Sequence, residues 1–349
     1  MVPDQPDIGP LFRDPLKFEV VRLFDGHLES HGGSLGDRDA ESIFLSSIGL
    51  PLRASLMDER LLAGLRAESM FKSLVVELRN VRMIKQEDVG EAWSRDPDLR
   101  VPDFRVVLSD GAAILVEVKA FYQKENPARL YKASRRYLDG LRRYGELNDL
   151  PVHLAVYWAR WNLWTLVPLA SVVGERKGLS LADALVLNDL GRLGDFLIGT
   201  RPPLVLRLGA DPSKERRVLP SGVARFTVGS ADLLCNGTLL ERKDERAIAF
   251  WFMLFGSWDC RSEAETEDGE LMAVSHIVTA PKSAGQDFAF VGAVSSLLSR
   301  RYLDQTSEAG RVARLGVSAS GGSIAKLLPK NFASSRLPIW RFEVEPGTV

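Results

Sequence analysis

Two short stretches contain residue types that can do hydrolytic chemistry: Pro102-Asp103 and, further on, Glu117-Val118-Lys119. Asp103 opens an apolar run over residues 103–108, and Glu117 and Lys119 close another over 113–119. Between them stands Ser109-Asp110-Gly111, a strong turn signal, so the two runs read as a β-hairpin. Side chains alternate faces along a strand. Glu117 and Lys119 therefore point the same way, while Val118 joins Ile114, Val116, Phe104, Val106 and Leu108 on a core face.

Whether Asp103 shares the face of Glu117 depends on the loop. A two-residue turn at Asp110-Gly111 pairs Asp103 with Val118 and separates the carboxylates, whereas a three-residue loop brings them together. A bulge near Asp103 rescues either case. Two carboxylates on neighbouring strands form a hard-oxygen site suited to Mg²⁺ or Mn²⁺, which can polarise a phosphoryl oxygen and acidify a bound water. Lys119 can hold that water or meet the negative charge that develops on phosphorus oxygens. The three residue types match phosphodiester hydrolysis.

The flanking elements must position this hairpin. Over residues 55–78 apolar residues recur at helical spacing, with Ala67, Phe71, Leu74 and Leu78 in one stripe, and residues 81–84 turn to strand character. After the hairpin, residues 129–144 read as an amphipathic helix with Leu130, Tyr137, Leu141 and Tyr144 on its apolar face. Strands follow at 152–158 and 163–167. The order is helix, three strands, helix, two strands, which packs as an α/β mixed sheet flanked by helices.

With these residues in that order, the segment 55–167 resembles the PD-(D/E)xK nucleases, the restriction-endonuclease-like superfamily. The resemblance implies a metal-dependent DNA endonuclease in restriction, phage defence, transposition or repair. Asp103 and Glu117 would be metal ligands, the Val118 carbonyl a further ligand, and Lys119 the catalytic cation. Members often carry a third acid on the helix before the sheet. Glu68 looks like that residue, with Glu77 as its rival. Exonuclease-type members often place Gln and Tyr four apart on the helix after the Lys; here Ala133 precedes Tyr137, a departure from that branch.

The alternative for Asp103, Glu117 and Lys119 is a cross-strand ion-pair set on a solvated face. Against it stands the uninterrupted run Ile-Leu-Val-Glu-Val-Lys, the pattern of a strand buried on both faces, where a carboxylate needs a strong reason. Among the basic residues at 129–143, Lys132, Arg135, Arg136 and Arg143 are the candidates for following a phosphate backbone of DNA, or RNA; a solvated helix face explains them equally well. Trp158, Trp161 and Trp164 read as core before base-stacking platforms, and Arg300, Arg301 and Arg311 as an exposed face as readily as a nucleic-acid contact.

At 349 residues the chain exceeds the ~250–300 at which single cores stop growing, so an extension over 1–50, a nuclease-like domain over 51–170 and a second α+β domain over 171–349 are expected. In the extension, residues 18–24 read as a strand and a helix starts at Asp37. The second domain reads as a Leu-rich helical stretch (179–197), strands at 204–208 and 224–228, helices at 247–255 and 291–303, a Gly/Ser loop at 318–323 and a strand at 339–344. Its role would be recognition, homodimerisation or binding a partner protein. A net charge of −1 gives no global attraction to nucleic acid or membrane, so binding must be local. Two cysteines and four histidines give little support to a disulfide framework or a His-based metal site. The acidic, proline-bearing start is no secretory signal, and the most apolar run falls short of the ~20 residues a bilayer span needs; a cytoplasmic setting is expected. A catalytically silent nucleic-acid-binding or scaffolding protein of the same fold is the rival reading.

Overall fold

Asp58 divides the expected helix over 55–78: its side chain accepts from the N–H groups of Arg60 (2.9 Å) and Leu61 (3.1 Å) and so caps a new helix. Ahead of it lie α1 (Pro15–His31), α2 (Arg38–Ser47) and α3 (Gly49–Met57); behind it runs α4 (Glu59–Val75). The computed structural model describes residues 15–347 apart from 90–91, 124–125, 127, 173–177, 220, 222, 281–285 and 318–325. The Gly/Ser loop expected at 318–323 therefore lies outside the described residues.

The strand expected at 18–24 is part of α1. Its β-prone residues follow a helical period: Phe24 and His27 both meet the Phe44 ring on α2, with centroids 5.3 and 5.5 Å away, and His27 stacks on His31. The helix start expected at Asp37 is found, with Asp37 as its cap.

The sheet that carries the candidate residues has five strands in the order β1 (Val81–Gln86), β2 (Phe104–Leu108), β3 (Ala113–Phe121), β4 (Val152–Trp158) and β5 (Leu163–Pro168). Neighbours are antiparallel except β3 and β4, which are parallel and are joined through α5 (Arg135–Asn148). This is the expected order of elements. One face of the sheet, with Phe104, Val106, Ile114, Val116 and Val118, packs on the α4 stripe of Ala67, Phe71 and Leu74. The other, with Leu115, meets Leu138 and Leu141 of α5. Leu115 is buried, as a strand covered on both faces requires.

α5 starts later than expected. Tyr131 pairs instead with Leu179 in an isolated bridge, and Ser134 caps the helix by accepting from the Tyr137 N–H at 3.3 Å. Lys132 is thus outside the helix.

Beyond β5 the Leu-rich stretch is broken into α6 (Leu181–Val186), a single 3₁₀ turn (Leu190–Leu193) and β6 (Leu197–Thr200). The physical cause is local. Asn188 accepts from the N–H groups of Leu166 and Leu190, and Gly194 takes a left-handed conformation at φ 100°. Then follow β7 (Leu204–Ala210), the two-residue β8 (Arg217–Val218) and β9 (Ala224–Arg225), β10 (Val228–Cys235) and β11 (Thr238–Leu239). The chain continues through α7 (Lys243–Phe255), β12 (Asp259–Glu267), β13 (Glu270–Thr279) and β14 (Ala289–Ala293). It closes with α8 (Val294–Thr306), the short pair β15 (Ser307–Glu308) and β16 (Arg311–Val312), and β17 (Ile339–Phe342). The long β12–β13 hairpin lies between the helices expected at 247–255 and 291–303.

The boundary expected near 170 falls where the chain leaves the first sheet, but apolar packing continues across it. One cluster holds Phe71, Phe104 and Trp164 together with Phe252, Leu297 and Tyr302. Trp164 also donates to the Ser299 hydroxyl of α8 at 2.9 Å. Among the described residues no helix is long and apolar enough to cross a membrane, and Cys235 and Cys260 are free thiols.

Candidate active site

The hairpin satisfies the parity condition. Phe104 pairs with Val116, Arg105 with Leu115, Val106 with Ile114 and Val107 with Ala113. Leu108 N–H then donates to Ala112 O at 2.8 Å, which leaves Ser109, Asp110 and Gly111 as a three-residue loop. Gly111 sits at φ 90°, the left-handed position such a loop requires. Continued by one residue, that register would set Asp103 opposite Glu117; Asp103 itself lies at a bend just before β2. The Asp103 carboxylate also accepts from the Val118 N–H at 2.6 Å, which ties the start of β2 to the middle of β3.

Both carboxylates are buried, Asp103 at 8 % exposure and Glu117 at 2 %. Lys119 keeps about a third of its side chain in solvent and pairs its ammonium with Glu117 Oε1. The same oxygen accepts from the Tyr137 hydroxyl on α5. Glu117 Oε2 is buried and has no hydrogen-bond partner among the described residues. Lys119 Nζ stands 5.3 Å from the Tyr137 ring centroid, so ammonium, carboxylate and phenol form one cluster.

The electrostatics follow from burial and from like charges in one place. Burial, then the neighbouring Glu117, lifts the Asp103 carboxyl to about 8. Burial works against the Lys119 ammonium, but Glu117, Tyr137 and Asp103 outweigh it and hold its proton more firmly than usual. Burial and Glu117 likewise hold the Tyr137 hydroxyl protonated far above the usual range. Glu68, half-buried on α4, is raised by burial and then by Asp88; Glu117 adds to this and Lys119 opposes it. Glu68 is thus within electrostatic reach of the cluster.

Glu77 is placed elsewhere. It follows α4 at 1 % exposure and forms an ion pair with Arg301 of α8, so it joins the two halves of the molecule. The basic residues near α5 do not form a free stripe. Arg136 pairs with Asp98, Arg143 with Asp96 at 2.7 Å, and Arg135 with Asp139 at 3.8 Å. Gly140 permits the first two pairs: a Cβ there would stand 2.3 Å from Asp98 O, so only glycine lets that loop lie against α5. Lys132 is exposed. Trp158 and Trp164 are core residues, and Trp161 is about half exposed.

Tyr137 belongs to the site although the sequence pattern places it only on the apolar face of a helix. A signal existed: a tyrosine on an apolar stripe needs a partner for its hydroxyl, and the strand before that helix carries Glu117 and Lys119.

Among the described residues no group of three or more His, Cys, Asp or Glu side chains is arranged to enclose a metal ion. Mg²⁺ commonly takes only one or two carboxylates and completes its shell with water. The unpartnered Glu117 oxygen and the repulsion between Asp103 and Glu117 both fit a divalent cation. Comparison with protein-family models, with curated proteins and with solved structures finds no match for this chain.

Proposed function

We propose that the chain is a metal-dependent endonuclease that hydrolyses phosphodiester bonds in DNA, on a restriction-endonuclease-like core of the PD-(D/E)xK type spanning α4 to β5. The observation that carries this reading is the closeness of two buried carboxylates, Asp103 just before β2 and Glu117 on β3, with Lys119 ion-paired to Glu117.

Asp103 and Glu117 would hold Mg²⁺ or Mn²⁺, with Glu68 as the nearby third acid and the Val118 carbonyl added by the family resemblance. When bound, the ion supplies a polarised phosphoryl oxygen and a water acidified for attack. The protein's own groups then divide the remaining work. Tyr137 and Lys119 occupy Glu117 Oε1 and leave Oε2 as the free electron-pair donor. Lys119 keeps its proton at neutral pH, so it acts as a fixed positive charge that orients water or offsets charge on the phosphoryl oxygens, and not as a base. The Val118 N–H holds one Asp103 oxygen in place, which fixes the spacing of the two carboxylates. The half following β5 would supply substrate recognition, a homodimer contact or a partner-protein surface, because a shared core leaves specificity to what is added to it. A cellular role in restriction, phage defence, transposition or repair agrees with such chemistry.

The test is a substrate panel: supercoiled plasmid, single-stranded circular DNA, a branched DNA junction and RNA, each with Mg²⁺ or Mn²⁺. Cutting of a DNA substrate only with metal supports the proposal. Binding without any cutting would favour a silent nucleic-acid binder of the same fold.

A further inference from the structure

At the opposite end of the sheet lies a second concave site. Asn80 O there accepts from Ser109 N at 2.8 Å, at the hairpin turn, so the whole of β2 separates this region from Asp103. A cavity of about 650 Å³ opens between the end of α4, the 189–196 turn and the last strand, which is the size of a typical small-ligand pocket. Arg79, Arg341 and Lys330 line it.

The two arginines are held in an unusual way. Arg341 donates to the carbonyls of Lys330 (2.9 Å), Leu328 (3.4 Å) and Pro329, and Arg79 donates to Leu328 O as well. Both guanidiniums therefore converge on one backbone segment, and among the described residues no carboxylate forms an ion pair with either. Of the four acids in the lining, two are engaged and two are exposed. Asp189 lies near Arg192 and His153, at 3.9 and 3.6 Å. Asp195 accepts the Ser295 N–H and hydroxyl at 2.8 and 2.7 Å, and burial raises its carboxyl to about 6. Glu343, which offsets part of the Arg341 charge, and Glu345 also line the cavity but are exposed to solvent.

Two like charges brought together in a partly desolvated cavity cost free energy that an anion would offset. Burial, with Arg341 adding to it, pulls the Arg79 guanidinium down to about 10. Arginine forks match phosphate oxygens in pairs, and Lys330 adds a point charge. We propose that this cavity binds a small phosphorylated ligand of about nucleotide size, with Arg79, Arg341 and Lys330 contacting its phosphate groups. The site is separate from the proposed catalytic cluster and does not depend on the nuclease reading.

The test is titration calorimetry of the full chain at low salt with EDTA present, using pyrophosphate and ATP as probes. Wild type, Lys330→Ala, Arg341→Gln and Asp103→Asn are compared. Wild type and Asp103→Asn are expected to bind equally, with Lys330→Ala a few-fold weaker and Arg341→Gln about tenfold weaker, the loss of one charge-assisted contact each. ATP tighter than pyrophosphate would identify a nucleotide as the source of the phosphate. Equal affinities would identify the phosphates alone as what is recognised. No binding of either probe by wild type overturns the proposal, as does unchanged binding in Lys330→Ala, whose replacement leaves the packed guanidiniums intact.

Discussion

Replacing Asp103 with Asn should make the metal-free protein more stable, and increasingly so as pH rises. Asp103 is buried close to Glu117, and its carboxyl is lifted from 3.8 to about 8 by burial and by that neighbour. The folded state therefore holds a proton that the unfolded chain has already lost. Above about pH 4 the native protein binds more protons than the unfolded one, so stability falls with rising pH until about pH 8, where the cost is complete. At about 1.4 kcal/mol per pH unit the ceiling is roughly 6 kcal/mol, and water uptake and relaxation reduce what is measured to about 2–3 kcal/mol. Asparagine carries no charge yet keeps an oxygen for the Val118 N–H, so the structural hydrogen bond survives the change. Urea unfolding in EDTA at about pH 5 and about pH 9 measures the effect, with the Asp103→Asn variant expected to gain little at the lower value and about 2–3 kcal/mol at the higher. Mg²⁺ should stabilise the wild type and narrow the gap. A gap that does not change with pH, or a variant less stable at the higher value, would rule out an Asp103 carboxyl held protonated by burial and by Glu117.

Tyr137→Phe removes the hydroxyl from Glu117 Oε1 and should weaken metal binding, read by Mn²⁺ titration calorimetry, by about tenfold with little change in stability. Arg301→Ala takes a cation from the buried Glu77 carboxylate and should cost about 3 kcal/mol in urea unfolding while leaving Mn²⁺ affinity unchanged, because this pair ties α8 to the segment after α4 and neither residue is among the charges that shift Asp103 or Lys119. Gly140→Ala drives a methyl group into Asp98 O and should destabilise by about 1–3 kcal/mol. The same change frees Arg136 and Arg143 from Asp98 and Asp96, which a steeper salt dependence of DNA binding would reveal.

The hairpin and its three charged residues were legible because their signals are local. Ser109-Asp110-Gly111 specifies the turn, and the alternation of Val and Ile specifies the faces. The loop length that parity demanded is the one found, with Gly111 in the conformation that makes it possible. The parts that the sequence does not reveal depend on distant partners. Residues 18–24 look strand-like until Phe44 arrives from α2 to meet Phe24 and His27. Lys132 stands outside the helix because Tyr131 pairs with Leu179, far along the chain. Arg136 and Arg143 read as a basic stripe because nothing local shows that Asp98 and Asp96 fold against them. The strand β12 is hidden in the sequence for a different reason. It is exposed along its whole length, so Asp259, Arg261, Glu263, Glu265 and Glu267 leave no apolar face to betray it.

The proposed hydrolytic site needs Asp103, Glu117 and Lys119 to act together with a metal ion. The decisive assay is conversion of supercoiled plasmid to nicked or linear DNA by matched preparations of wild type, Lys119→Ala and Glu117→Gln, with Mg²⁺ or with EDTA. The wild type should cut only with the metal, and each variant should lose about 100-fold or more while remaining folded. Cutting that persists in either variant, or that proceeds in EDTA, would contradict such a site.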